Sequence, residues 1–279
     1  MIDVGAEQGE LADAMLSAGL VDLHVFDPAP QNAERLRARF ADVSGVAVHE
    51  QAISDSDGSA TLHLSSHPDG SPVTFGHTLL ECDATDEIVW RETITVSRRS
   101  LASLVESGEI PGNIGILKID TEGHDLAVVR GMGPLTADLV MVEHWSELPH
   151  GLGRCPWTAA EMLAELQPRG FNHFAFVVHR GELTTLKWDD AGVERGAMGN
   201  LIFLHDSVLA RLTPQLLHVA SELAEETVRT AQMYMGAASE RLAVISQLEE
   251  AAQARLQALE ATTARINSQA AELESLRRR

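Results

Sequence analysis

The stretch Ile2-Asp3-Val4-Gly5-Ala6-Glu7-Gln8-Gly9 decides how the rest of this chain is read. Ile2–Val4 is an apolar run with one acid, suited to a short buried strand, and Glu10–Ala18 has the pattern of a helix that follows it. Glycines at a strand–helix turn let a backbone approach a ligand where Cβ atoms would block it. The turn therefore predicts an α/β sheet whose first strand ends at a binding site.

Working outward, short apolar runs keep alternating with helical patterns through the first 145 residues, as in a parallel sheet flanked by helices. Leu23–Phe26 and Val46–His49 read as strands, with a helix over Asn32–Phe40 between them. Ala60–Leu64 and Thr93–Val96 read as further strands framing a loop rich in Gly, Pro, Ser and Asp. Gly115–Ile119 and Leu139–Val142 suit buried central strands. Leu126, Val129 and Met132 recur between them at helical spacing. Thr158 and Glu161 form a candidate capping box. Phe174–His179 and Leu183–Trp188 read as a hairpin turning at Arg180–Gly181, and Leu201–Leu204 as a last strand.

Composition narrows the function. Hydrophobic residues are 44% and charged residues 22% of the 279, enough apolar material for a buried core. Two cysteines, Cys82 and Cys155, are too few for a disulfide framework and lack zinc-ligand spacing. No apolar stretch approaches the roughly 20 residues of a membrane helix, and no signal peptide opens the chain. A reduced, cytoplasmic protein is the expectation. The segment Arg229–Arg279 carries seven basic and six acidic residues, so the remainder holds 14 and 35, a net −21. Such a surface repels phosphate backbones, which argues against nucleic acid as a substrate.

The chemistry lies at predicted strand ends. Asp27-Pro28 closes the second strand, and an acid there can accept hydrogen bonds from both hydroxyls of a ribose. A pyrophosphate cradle expects G-x-G-x-x-G, but this turn supplies only Gly5 and Gly9 and sets the carboxylate of Asp3 beside them. That carboxylate suits a ligand carrying an ammonium and a sulfonium, which favours S-adenosylmethionine over NAD. A second constellation, Leu117-Lys118-Ile119-Asp120-Thr121-Glu122-Gly123-His124-Asp125, puts Asp120 and Glu122 where a buried strand ends. A third, Val142-Glu143-His144-Trp145, ends the next strand. Here His144 is the first candidate general base, oriented by Glu143; its structural alternative is a strand-end histidine bonded to backbone. His124 reads as a solvent-facing residue of the following helix. Oxygen ligands at Asp120, Glu122 and Glu143 could hold Mg²⁺, but no ligand motif demands it, and metal is not the favoured reading. Trp90, Trp145 and Trp157 could stack on a sugar.

With these residues in place, the sequence resembles the FkbM methyltransferase family. The resemblance rests on Ile2-Asp3-Val4-Gly5-Ala6 with Gly9, Phe26-Asp27-Pro28 with Asn32, and Ala52-Ile53-Ser54-Asp55 with Gly58. It continues through Leu117 to Gly123, Arg130-Gly131, Val142-Glu143 and Asn200-Leu201-Ile202-Phe203-Leu204. It implies a class I methyltransferase fold, a Rossmann-like sheet, over residues 1–206. It also implies S-adenosylmethionine as donor and a hydroxyl acceptor on a sugar or glycosylated metabolite. On it, Asp3, Gly5, Ala6 and Gly9 map to the donor loop, Asp27 to the ribose and Gln51–Ala52 to the adenine. Asp120 and Glu122 lie near the transferred methyl group, with Asp120 also touching the donor. The sequence departs from the family in carrying Glu7 where Asn is frequent and Asp27 where Glu is usual.

Beyond a connecting segment at 207–220, residues 221–279 lack proline. Ala224, Val228, Ala231, Met235, Ala238, Leu242 and Ile245 begin a seam of alternating four- and three-residue steps that reaches Leu273. That seam predicts a long C-terminal coiled-coil helix and a homo-oligomer. A non-catalytic scaffold, in which a degenerate methyltransferase domain carries this coiled coil, is the alternative function.

Overall fold

The computed structural model describes residues 1–82, 84, 86–145, 155–180, 183–187, 198–208 and 210–211. The predicted coiled coil at 221–279, most of the connecting segment and the turn at Gly181 lie outside the described residues.

The elements in chain order are β1 Ile2–Val4, α1 Glu10–Ser17, β2 Leu23–Phe26, α2 Pro30–Arg39, β3 Val46–His49, β4 Ala52–Ser54, β5 Gly58–Ser66 and β6 Val89–Ser100. They continue with α3 Leu101–Glu106, β7 Asn113–Ile119, α4 Asp125–Arg130, β8 Thr136–Trp145, α5 Ala159–Leu166, β9 His173–Arg180, β10 Leu183–Lys187 and β11 Met198–Leu204. The main sheet has eight strands in the order β10-β9-β11-β8-β7-β1-β2-β3. Strands β3, β2, β1, β7 and β8 run parallel, and β11 pairs antiparallel with both β8 and β9. The fold is thus α/β with a mixed sheet. The predicted strands at Ala60–Leu64 and Thr93–Val96 exist but leave this sheet. They form a separate three-stranded sheet, β4-β6-β5, in which β5 and β6 are an antiparallel pair. Both are longer than their apolar cores because exposed residues extend the ladder.

The inner strands are held by burial. Leu117, Ile119, Val140 and Val142 are fully buried, each contributing about 1.5–3 kcal/mol relative to exposure. They join Ile2, Val4, Phe26, Trp145 and Phe176 in one core cluster. Helix α2 starts two residues earlier than its apolar pattern, because Pro30 fits the first helical turn. Helix α5 begins at the expected capping box: Thr158 N–H donates to Glu161 at 2.8 Å and Glu161 N–H to the Thr158 hydroxyl at 3.2 Å.

Register then places the polar residues. Asp3 pairs with Val25 on one side and Lys118 on the other, and Lys118 pairs with Met141. Glu143 pairs with Asn200 across β8 and β11. Because the chain runs outward from β1 to β3 and then crosses back to β7, a crevice opens at the C-terminal ends of β1, β2 and β7, where open α/β sheets bind ligands.

Candidate active site

A cavity of about 360 Å³ fills that crevice, in the size range of small-molecule sites. Its lining includes Asp3, Gly5, Ala6, Asp27, Gln51, Ala52, Asp120 and Glu122, eight of the residues expected from the sequence. Gly9, Glu143 and His144 are not part of the lining.

The two turn glycines answer to packing. Gly5 sits at φ 76, and a Cβ there would lie 1.7 Å from the Asp120 carbonyl oxygen. Gly9, at φ 80 before α1, would drive a Cβ to 2.8 Å from the Phe40 ring. Glycine at both positions is required by β7 and α2 before any ligand is considered.

Asp3 is 1% exposed. Its Oδ1 lies 3.1 Å from the Lys118 ammonium, while Oδ2 is buried with no hydrogen-bond partner. Burial pushes this carboxyl up, against the pull of Lys118. Lys118 was not singled out from the sequence for a role. Its ammonium donates to the Gly5 carbonyl at 2.7 Å and also lies 3.4 Å from Asp120. Burial works against the ammonium, but Asp120 and Asp3 outweigh it and raise its pKa. The strand alternation Leu117-Lys118-Ile119-Asp120 was the available signal, since it puts Lys118 and Asp120 on one face.

Asp27 ends β2 and accepts from Ala29 N–H at 2.9 Å, Glu7 N–H at 3.0 Å and the Asn32 amide at 3.2 Å. Burial raises its pKa to about 6, and these donors hold it from rising further. Glu7 itself takes a left-handed backbone, φ 50. Its side chain accepts from the Thr74 hydroxyl at 2.5 Å, which ties the donor-side turn to a strap, Thr74–Leu79, from the loop between β5 and β6.

The same strap reaches the other end of the cavity. Gly76 N–H donates to the Glu122 carboxylate at 3.0 Å, and the Thr78 hydroxyl to the Glu122 carbonyl at 3.0 Å. Trp90 is not part of the lining; its indole N–H donates to the Gly76 carbonyl at 2.8 Å. Phe75, on the strap, lines the cavity and is 50% exposed. Trp145 and Trp157 are buried.

Glu122 also has a left-handed backbone, φ 54, a conformation non-glycine residues adopt rarely and often at functional sites. Burial first, and the neighbouring Asp120 second, raise its pKa to about 8. Glu143 is not part of the lining, and burial first, then Asp120, Glu122 and Asp125, raise its pKa too. Asp125 is fully buried, accepts from Thr121 N–H at 3.2 Å, and is pushed up to about 6 by burial and Asp120.

His144 lies on the other face of β8. Met141 lines the cavity, so two-residue alternation directs Glu143 toward it and His144 away. The His144 ring packs 4.9 Å from Trp157 and 5.6 Å from Phe176. His124, expected at the surface, instead lines the cavity, with Nε2 2.9 Å from the Ser54 hydroxyl. Met141 and Asn200 also line the cavity. Among the described residues, no group of three or more His, Cys, Asp or Glu side chains is arranged to hold a metal ion.

Comparison with known proteins gives this arrangement a family. The profile of the methyltransferase FkbM domain matches residues 3–172, more than half of the chain. The chain belongs to the FkbM methyltransferase family. A hexuronic acid methyltransferase, AglP of Haloferax volcanii, is 26% identical over 131 residues, covering 47% of this chain and 48% of AglP. The chain thus matches about half the length of that relative. A solved FkbM methyltransferase from Methylobacillus flagellatus KT superposes with a TM-score of 0.44 at 15% identity, over 73% of this chain and 42% of that one.

Proposed function

We propose that this FkbM-family chain is an S-adenosylmethionine-dependent O-methyltransferase whose acceptor is a hydroxyl of a sugar or glycosylated metabolite. The observation that carries the donor assignment is the orphaned Oδ2 of Asp3, a buried carboxylate oxygen on the cavity wall. A buried acceptor without a donor costs about 1–3 kcal/mol. An incoming ammonium would relieve that cost, and the donor carries one.

In this reading Asp3, Gly5 and Ala6 hold the amino-acid end of the donor. Asp27 keeps an acceptor position for the ribose, since three of the roughly four lone-pair sites of a carboxylate are already engaged. Gln51 and Ala52 border the adenine. When bound, the donor supplies an electrophilic methyl group on a cationic sulfur. The chain then has to orient the acceptor, exclude water and take a proton. We assign the proton to Glu122, which lines the cavity, instead of His144, which does not. Asp120, also on the lining, pairs with Lys118 at 3.4 Å.

The sugar assignment is supported by the family and by the activity named for AglP. No helix among the described residues is long and apolar enough to cross a membrane. We further propose that the 221–279 seam assembles the chain into a homodimer or higher oligomer, which becomes monomeric on truncation after Ser221 while donor binding survives. Light scattering of both forms checks this.

The donor test is calorimetry of the full chain with S-adenosylmethionine and S-adenosylhomocysteine. Both should bind, and Asp3→Asn should weaken both by about tenfold or more. Absence of binding to either ligand would favour the scaffold alternative.

A further inference from the structure

Glu122 is placed so that its charge depends on what enters the cavity. Its carboxylate and its backbone carbonyl are both fastened to the strap, through Gly76 and Thr78. Three acids act on it, Asp120 from the end of β7, Asp125 from α4 and Glu143 from β8, against one cation, Lys118. Asp3, Glu7, Glu10 and Asp27 line the same cavity, as do the imidazoles His77 and His124, which burial keeps toward their neutral forms. Among the described lining residues, Lys118 is the only lysine or arginine. Its ammonium donates to the Gly5 carbonyl and forms ion pairs with Asp3 and Asp120.

We infer that Glu122 is a base armed by its own co-substrate: it keeps its proton beside a ligand neutral at sulfur and gives it up beside a ligand carrying a sulfonium charge. This rests on the donor reading above. With a pKa of about 8, Glu122 is roughly nine-tenths protonated at pH 7. An opposite charge nearby lowers a carboxyl pKa by roughly 1–3, enough to ionise it at the same pH.

The proton balance closes over one turnover. Ionised Glu122 accepts the proton of the acceptor hydroxyl as that oxygen bonds to the methyl carbon. The carbon–sulfur bond breaks with its electron pair remaining on sulfur. Sulfur is then neutral and Glu122 is again a carboxylic acid, the state its surroundings favour.

The two ligands share their amino, carboxylate, ribose and adenine groups and differ at sulfur, so their difference isolates the effect. Calorimetry of the full chain at pH 7.0 in phosphate and in Tris, whose ionisation enthalpies differ, counts protons released on binding. S-adenosylmethionine should release about half a proton more than S-adenosylhomocysteine. Its affinity should rise several-fold from pH 6 to pH 8 relative to that of S-adenosylhomocysteine, and Glu122→Gln should remove the difference between the ligands. Equal proton release by the two ligands, or a difference that survives in Glu122→Gln, overturns the inference and leaves the donor assignment standing. Binding of neither ligand removes both. If Glu122→Gln does not fold, the wild-type difference and its pH slope decide alone.

Discussion

Asp27, buried, and Glu122, partly buried, line one cavity, and both carboxyls are pushed above their ordinary range. They are pushed to different levels, about 6 and about 8. Asp27 sits among donors: Glu7 N–H, Ala29 N–H and the Asn32 amide all favour its charge. Glu122 receives Gly76 N–H but otherwise faces Asp120 and Asp125, which oppose its charge. Different neighbours therefore yield two kinds of group. Surrounded by donors, a carboxylate stays charged near neutrality and can fix a ligand; surrounded by acids, it holds a proton it can exchange.

The largest expected break comes from the exchanging end. Glu122→Gln should lower turnover by about 10²–10⁴, the usual contribution of a general base. Steady-state kinetics with radiolabelled S-adenosylmethionine measure it, and turnover within threefold of wild type would end the assignment. At the fixing end, Asp27→Ala should weaken S-adenosylmethionine binding by about 1.5–3 kcal/mol, through lost charge-assisted bonds and a released Glu7 turn. Affinity within twofold would detach Asp27 from the ribose.

His144→Ala tests the far side of β8. It should cost about 1–3 kcal/mol of stability through lost packing against Trp157 and Phe176. The shape of the pH–rate profile should not change. Loss of the acidic limb, along which a general base takes up its proton, in a folded variant would return the base to His144.

The smallest effect is on stability against pH. Glu122 and Asp125 have folded pKa values raised from 4.5 to about 8 and from 3.8 to about 6. The folded state therefore binds more protons than the unfolded state between about pH 4 and 8, so their contribution to stability falls as pH rises through that window. Melting temperature should drop by a few degrees from pH 6 to pH 8.5. Glu122→Gln should flatten the upper half of that fall. A melting temperature that rises with pH would contradict the crowding of acids around Glu122.

Much of the cavity lining was legible because its signals are local. Asp3, Gly5, Asp27, Asp120 and Glu122 each stand at the end of an apolar run, and parallel strands bring such ends to one rim. Proximity along the chain suggests that Glu143 and His144 act together, but β8 separates them. Adjacent residues in a strand point to opposite faces, so Glu143 and His144 cannot both turn toward the same cavity. Strand β4, at Ala52–Ser54, is too short to show a period, and so the second sheet was not anticipated.

The sequence by itself determined the α/β alternation, the strand ends that carry acids and the family, because periodicity and short motifs are written in neighbouring residues. Only the tertiary structure decided that Lys118 joins Asp3 to Asp120, that the strap from Thr74 to Leu79 grips both Glu7 and Glu122, and that Glu122 sits among acids. Those relations join residues dozens of positions apart, and a carboxyl's charge depends on what surrounds it in space.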